Sequence, residues 1–187
     1  MHEDDIMSMI SGMQSPAMNE RILFLSGDVN EHTIPAIIAQ LISFANQNMQ
    51  QPIYLIISTY GGSIDEMFSL YDTIKFLPCP VYTIALGKVM SAGVLLLASG
   101  VKGRRLIGRN ARIMMHPVAS ETGGNVFQMV NSVKETERLQ NIAVDALSKE
   151  TNMSIDQIKN IMSLGYDYFM TSEEAIKLGI VDKVIGD

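Results

Sequence analysis

Apolar residues in this chain recur in two rhythms. Short unbroken runs, of the kind a covered parallel strand shows, stand at residues 21–25, 53–58 and 81–86. Each is followed by a stretch of helical period. Thr33, Ile34 and Pro35 open the first helix, with proline tolerated in the first turn. Ile34, Ile37, Ile38, Leu41, Ile42 and Ala45 make one stripe along it. The second helix runs from Ser63 to about Phe76 and turns Ile64, Met67, Phe68, Tyr71 and Ile74 inward, until Pro78 and Pro80 stop it. The third follows a tight turn over 87–93 and has an apolar body, ended by Gly100 and Gly103. The strand-helix unit thus recurs about three times, at 22–45, 53–76 and 81–99, which predicts a compact α/β core with a sheet covered on both faces.

Past that core the pattern changes. Residues 104–107 and 111–115 read as short strands, and His116 follows the second at once. Residues 117–124 are irregular or extended, with Gly123 and Gly124 as a bend. One long amphipathic helix is predicted over 125–149; coming after a complete core, it reads as a projecting element that packs on another subunit. Ser154 with Gln157, and Thr171 with Glu174, have capping-box spacing. The second pair opens a helix ending at Gly179, and residues 180–185 close the chain. Residues 1–20 hold no sustained period and are expected to form a flexible or partner-ordered tail, with a short helical piece over 6–10.

Composition narrows the function classes. The 187 residues suffice for one domain with a substantial core. Lys plus Arg is 14 against 20 for Asp plus Glu, a formal charge of −6, which gives no footprint for nucleic acid or an anionic membrane. The longest strongly apolar stretch, around 89–98, is too short to span a bilayer, and the acidic start Met1-His2-Glu3-Asp4-Asp5 lacks the basic region of a signal peptide. A single cysteine, Cys79, permits no internal disulfide and indicates a reducing, cytoplasmic setting. The 14 methionines fall partly at helical spacing and read as core or subunit-contact filler.

Candidate chemistry centres on Ser91. It stands at a turn-to-helix junction, where a hydroxyl is exposed beside free N–H groups of the first helical turn. The same position suits a plain N-cap serine. A hydroxyl nucleophile needs a base, and His116, at the end of an apolar strand, is the best-placed imidazole, with a structural histidine as the other reading. Asp167, between tyrosines in a largely hydrophobic setting, is the candidate orienting acid; Asp72 and Asp182 compete with it. Gly61-Gly62 at a strand-to-helix bend lets an N–H point into a cleft, so that one such group with that of Ala92 makes a two-donor oxyanion hole; otherwise the pair is only a tight turn. Phosphate-loop and Gly-x-Ser-x-Gly spacings are absent, and no His, Cys, Asp and Glu cluster has metal-site spacing, so neither cofactor nor metal is expected.

In that order, Gly-Gly, Ser, His and Asp make the chain resemble ClpP, the proteolytic subunit of the ATP-dependent Clp protease, from roughly Arg21 to Val184. The family's Ser-Pro-Gly-Gly-Ser is similar to the stretch ending in Gly61-Gly62-Ser63, and its Tyr-Asp-Thr to Tyr71-Asp72-Thr73. Its Gly-Gln-Ala-Ala-Ser-Met-Gly matches residues 87–93, its Met-Ile-His-Gln-Pro matches Met114-Met115-His116-Pro117, and its Arg-Asp-x-Phe-Met matches residues 166–170. The resemblance implies a ClpP/crotonase-like α/β fold over 21–187, with a protruding handle in about 117–150. It implies Ser91 as nucleophile, His116 as base, Asp167 as acid, and the N–H groups of Gly61 and Ala92 as oxyanion donors. It further implies peptide-bond hydrolysis inside stacked heptameric rings, with an AAA+ unfoldase as the ATP-using partner and no cofactor in this subunit. Substrate would pair with the extended piece 117–124, touching Gly62, Pro117 and Val118, with Ile64 and Met90 lining a side-chain pocket. Tyr60, Lys88, Val89, Ala92, Tyr166 and Tyr168 depart from the usual residues, and the stretch before Arg21 lacks the family's usual approach, which marks a divergent member such as a phage-encoded or accessory copy.

Three other readings compete. A serine-lysine peptidase of the signal-peptide-peptidase kind would use Lys88, the lysine near Ser91 in sequence. An acyl-CoA enzyme of the crotonase fold would use the paired backbone donors without the serine. An inactive ring subunit or scaffold would use none of these groups.

Overall fold

The computed structural model describes residues 21–186, so the expected tail and its helical piece lie outside the described residues. Among those described, seven strands share one sheet. Strands β1 (Ile22–Ser26), β2 (Ile53–Thr59) and β3 (Val81–Met90) run parallel, and β4 (Arg105–Ile107) continues the order beside the first part of β3. Strand β5 (Arg112–Met115) pairs with the last part of β3, β6 (Tyr168–Met170) lies antiparallel to β5, and β7 (Lys183–Val184) closes beside β4. The helices are α1 (Ile34–Gln47), α2 (Ile64–Phe76), α3 (Ala92–Ala98), α4 (Val126–Glu150), α5 (Ile155–Ser163) and α6 (Ser172–Lys177). Alternating strand-helix units therefore stand where the apolar rhythm places them.

The core lies between one face of the sheet and the helices. Leu25, Ile53, Leu55 and Ile57 from the strands meet Leu95, Leu96 and Leu97 of α3, all fully buried. Each such side chain contributes about 2 kcal/mol of apolar burial. All of α3 is buried, as its unbroken apolar body requires. The second face departs from expectation. Tyr54 packs edge-on against Tyr82 there, but Phe24 on β1 is 63% exposed and Leu86 on β3 is also exposed. Near-continuous apolar strands predicted cover on both faces, and this chain supplies it fully on one and in part on the other. Ile42, expected in the α1 stripe, is likewise exposed.

Buried cations tie element ends together. Arg21 donates to the carbonyls of Phe44, Asn48, Gln51 and Pro52, which satisfies the open end of α1. Arg105 donates to Ala98 and Glu150 carbonyls and pairs with Asp182 at 2.6 Å. Burial alone would push the Asp182 carboxyl up, but hydrogen bonds from the Arg105 side chain and from the Arg105 and Gly103 N–H groups outweigh it and hold that carboxyl below its ordinary value. Glu150, also buried, accepts from Tyr71 and Lys75.

Helix α4 has two characters. Its buried residues, Ala143, Val144, Ala146, Leu147 and Glu150, all belong to its C-terminal part. Toward the N-terminus Val126, Val130 and Val133 are exposed, and Phe127 is 83% exposed. An Asn125–Gln128 capping box starts the helix, and the two boxes read from the sequence, Ser154–Gln157 and Thr171–Glu174, are both formed. No helix among the described residues is long and apolar enough to cross a membrane.

Candidate active site

Strand β3 runs four residues past its expected end at residue 86, to Met90. The turn is consequently concentrated at one residue. Ser91 has φ 53° and ψ −124°, the one positive φ at a non-glycine among the described residues. That backbone is strained by about 1–3 kcal/mol and persists only where its surroundings fix it. They do: the Ser91 N–H donates to Met114 O at 2.9 Å, and Ser91 O accepts from Val94 N at 3.0 Å. The strain swings the side chain off the sheet. Its hydroxyl makes no capping bond and lies instead 2.7 Å from His116 Nε2. Ser91 thus occupies the N-cap position of α3 without capping it through its side chain.

Strand register brings the other groups in. Met90 pairs with Met114 across β3 and β5, so His116, just past β5, arrives beside Ser91. Met115 pairs with Tyr168 across β5 and β6, so Asp167 is the next rung, opposite His116. His116 Nδ1 and Asp167 Oδ1 are 3.9 Å apart, an ion-pair separation too long for a hydrogen bond. The Asp167 side chain is 52% exposed, so its setting is open rather than hydrophobic as expected, because Tyr166 and Phe169 also face outward. Asp182 is engaged by Arg105 and Asp72 is exposed on α2, so neither takes the place of Asp167.

Gly61 and Gly62 form the opposing wall. Their φ values are 101° and 149°. A Cβ on Gly61 would stand 2.6 Å from Ser91 Cβ and 2.8 Å from Met90 O, and one on Gly62 would strike the Val29 carbonyl. Only glycine lets this turn lie against the serine. Gly62 forms a parallel bridge with Val29, in which Val29 N–H donates to Gly61 O and Ser63 N–H to Val29 O. In that pattern the bridging residue's own N–H faces away from its partner. Gly62 N–H therefore faces away from Val29, and Gly62 lines the cleft with Ser91. The Gly61 N–H, expected as an oxyanion donor, instead donates to Thr59 Oγ1 at 2.9 Å, which corrects that assignment. Ala92 opens α3, where an N–H has no acceptor within the helix.

Beside these groups lies a cavity of about 510 Å³. Ile64, Met67, Leu95, Leu147 and Met162 give it an apolar floor, with Ser91, His116, Gly62, Pro117 and Val118 around it. Of the residues expected to touch substrate, Gly62, Ile64, Pro117 and Val118 line this cavity. Met90 is not: it is buried against Met114 in the sheet and does not line the cavity. Its alternation with Val89 puts it on the other face. Leu147 and Met162 were legible only as helix-face residues, and nothing in their spacing marks a cavity. Val118 N–H donates to Gln140 on α4, fixing the extended piece. The Lys88 ammonium lies 4.5 Å from the centroid of the Tyr60 ring, a cation–π contact.

A serine on a strained turn, paired with an imidazole beside an apolar cavity, is a serine-hydrolase arrangement. Comparison with known proteins points the same way. The family model described as Clp protease matches residues 7–187. The ATP-dependent Clp protease proteolytic subunit of Borreliella afzelii is 34% identical over 171 residues, 91% of this chain and 86% of that protein. The protein of the same name from Deinococcus radiodurans is 36% identical over 171 residues, 91% of this chain and 83% of its own length. By that match and these identities, the chain belongs to the Clp protease family.

Proposed function

We propose that residues 21–187 form one catalytic domain, a cytoplasmic serine endopeptidase that cleaves unfolded polypeptides through an acyl-enzyme. The 2.7 Å contact between Ser91 Oγ and His116 Nε2, held by a strained turn at the cavity mouth, carries this reading. Ser91 attacks the peptide carbonyl while His116 Nε2 takes its proton. The N–H groups of Gly62 and Ala92 receive the oxyanion. His116 then protonates the departing amine, and a water activated by the same imidazole releases the acyl group. Asp167 orients His116 once their separation shortens by about 1 Å to hydrogen-bond length. Pro117 and Val118 lie along the edge where substrate backbone pairs, and the apolar floor receives a side chain.

The working form is an assembly of this chain with itself, in stacked heptameric rings of crotonase-like subunits around a chamber. Exposed Val126, Phe127, Val130 and Val133 support α4 as a handle between rings, and the uncovered sheet face around Phe24 and Leu86 supports contacts with a neighbour or partner. The relatives' names include "ATP-dependent". An AAA+ unfoldase is the partner that would use the ATP, so this subunit needs no cofactor.

The test is covalent labelling of Ser91 by a phosphonylating probe in the assembled protein, with turnover of a small peptide in parallel. S91A should lose both, H116A should lose turnover, and K88A should keep it. An active H116A variant would falsify the Ser-His reading. A second reading, an inactive ring subunit, draws on the 3.9 Å gap at Asp167. Absence of labelling in the assembled particle selects it.

A further inference from the structure

Thr59 ends β2 and is completely buried, yet it is polar. Its Oγ1 accepts the Gly61 N–H at 2.9 Å. Its methyl Cγ2 lies 2.6 Å from where a Cβ on Gly93 would stand. Gly93 belongs to the first turn of α3, next to Ala92. One side chain therefore touches both walls of the cleft around Ser91. Its strand also pairs directly with the nucleophile strand, Thr59 against Val89, just past a bulge.

We infer that Thr59 is a positioning residue for the reaction proposed above, holding the Gly61-Gly62 turn and the start of α3 at a fixed spacing so that their N–H groups converge on one oxyanion. Gly61 is fixed at both ends: its N–H by Thr59 and its C=O by Val29 at 2.9 Å. With those directions occupied, the next peptide can present its N–H only on the cleft side. Glycine has no side chain to enforce this, and at φ 101° its backbone has many alternatives. The constraint must come from outside, and Thr59 supplies it. The hydroxyl carries the hold on the turn, and the two halves of the threonine can be separated. Valine keeps the shape without the acceptor; serine keeps the acceptor without the methyl.

The inference rests on the peptidase reading, and the experiment separates the two. Peptide turnover, the affinity of a peptide aldehyde that forms a tetrahedral oxyanion on Ser91, and thermal melting are measured for the parent, T59V, T59S, G93A and T59S/G93A. T59V is expected to lower kcat by about 10- to 100-fold, below the loss for removing an oxyanion donor outright, with KM within about twofold. Aldehyde affinity should fall by the same factor as kcat/KM. T59S should stay within about threefold of the parent, since its hydroxyl still accepts. G93A drives a methyl into Thr59, and less closely against Val89, and should lose activity, part of which T59S/G93A should recover by making room at position 59. That recovery decides the matter if T59V does not fold. A folded T59V with parental kcat, equal losses in T59V and T59S, or no recovery in T59S/G93A overturns the inference alone. A parent that neither binds the aldehyde nor cleaves peptide overturns the peptidase reading and the inference together.

Discussion

Ser91 and the Gly61-Gly62 turn sit against the wholly buried helix α3, whereas His116 and Asp167 stand at the edge of the sheet. On the first side every backbone direction is specified, by α3, by Val29 and by the Met114 carbonyl. On the second, β5 and β6 share three paired positions, and the acid beyond them is half solvated. The Ser91 turn is thus built by the fold of one chain. The position of Asp167 has far less holding it, and in the assembly proposed above a neighbouring subunit would have room to set it.

The largest expected effect falls on the Ser91–His116 pair, which joins the two sides. S91A and H116A should each reduce peptide turnover by about 10⁴-fold or more, read by single-turnover kinetics, without lowering the melting temperature. Next is G61A, where the new methyl meets Ser91 and Met90 O at a positive φ. A loss of about 3 kcal/mol in stability by urea titration, with most of the turnover, should follow. If G61A melts like the parent, the turn is not as tightly held as described. D167A should cost dissociated subunits about tenfold and assembled ones about 100-fold or more, because only an aligned acid has much to lose. Equal losses in both states would remove the contrast between the two sides.

A smaller effect concerns stability away from the chemistry. The Asp182 carboxyl is held low, so its contribution is fully present above the ordinary aspartate value of 3.8 and is lost as pH falls through the lowered value. D182N should therefore destabilise by about 2 kcal/mol near neutrality, with parent and variant melting curves converging only as pH falls from 3.8 through the lowered value. Least affected should be the fold of V130S/V133S, whose changes lie on exposed positions of α4. Its melting as a free subunit should match the parent, while sedimentation shifts toward smaller species.

Much of this was legible because it depends on local rules. The helix starts at Ser63, Ser154 and Thr171 follow from cap chemistry, and the strands at 22–26 and 53–59 from unbroken apolar runs. The cluster of Ser91 with His116 was readable as residue types in a suggestive order. What escaped was set by pairing. β3 continues through Gly87 to Met90 because β5 arrives to pair with it, and nothing local announces that. β6 is three residues long and exists through β5, so the rung placing Asp167 opposite His116 has no sequence period behind it. The Gly61 donor was misassigned because two adjacent glycines look alike until Thr59 and Val29 distinguish them.

The short β5–β6 ladder has a consequence of its own. His116 and Asp167 form the rung that would follow its three, so acid alignment and ladder length are one variable. Lengthening the edge by a rung squares the pair, and fraying it by a rung releases the acid. Amide hydrogen exchange at residues 115–116 and 167–168 therefore reports the readiness of the site directly, with no substrate present. In the proposed assembly, a neighbouring subunit at this edge would become visible as protection of these two short segments on the sheet's rim.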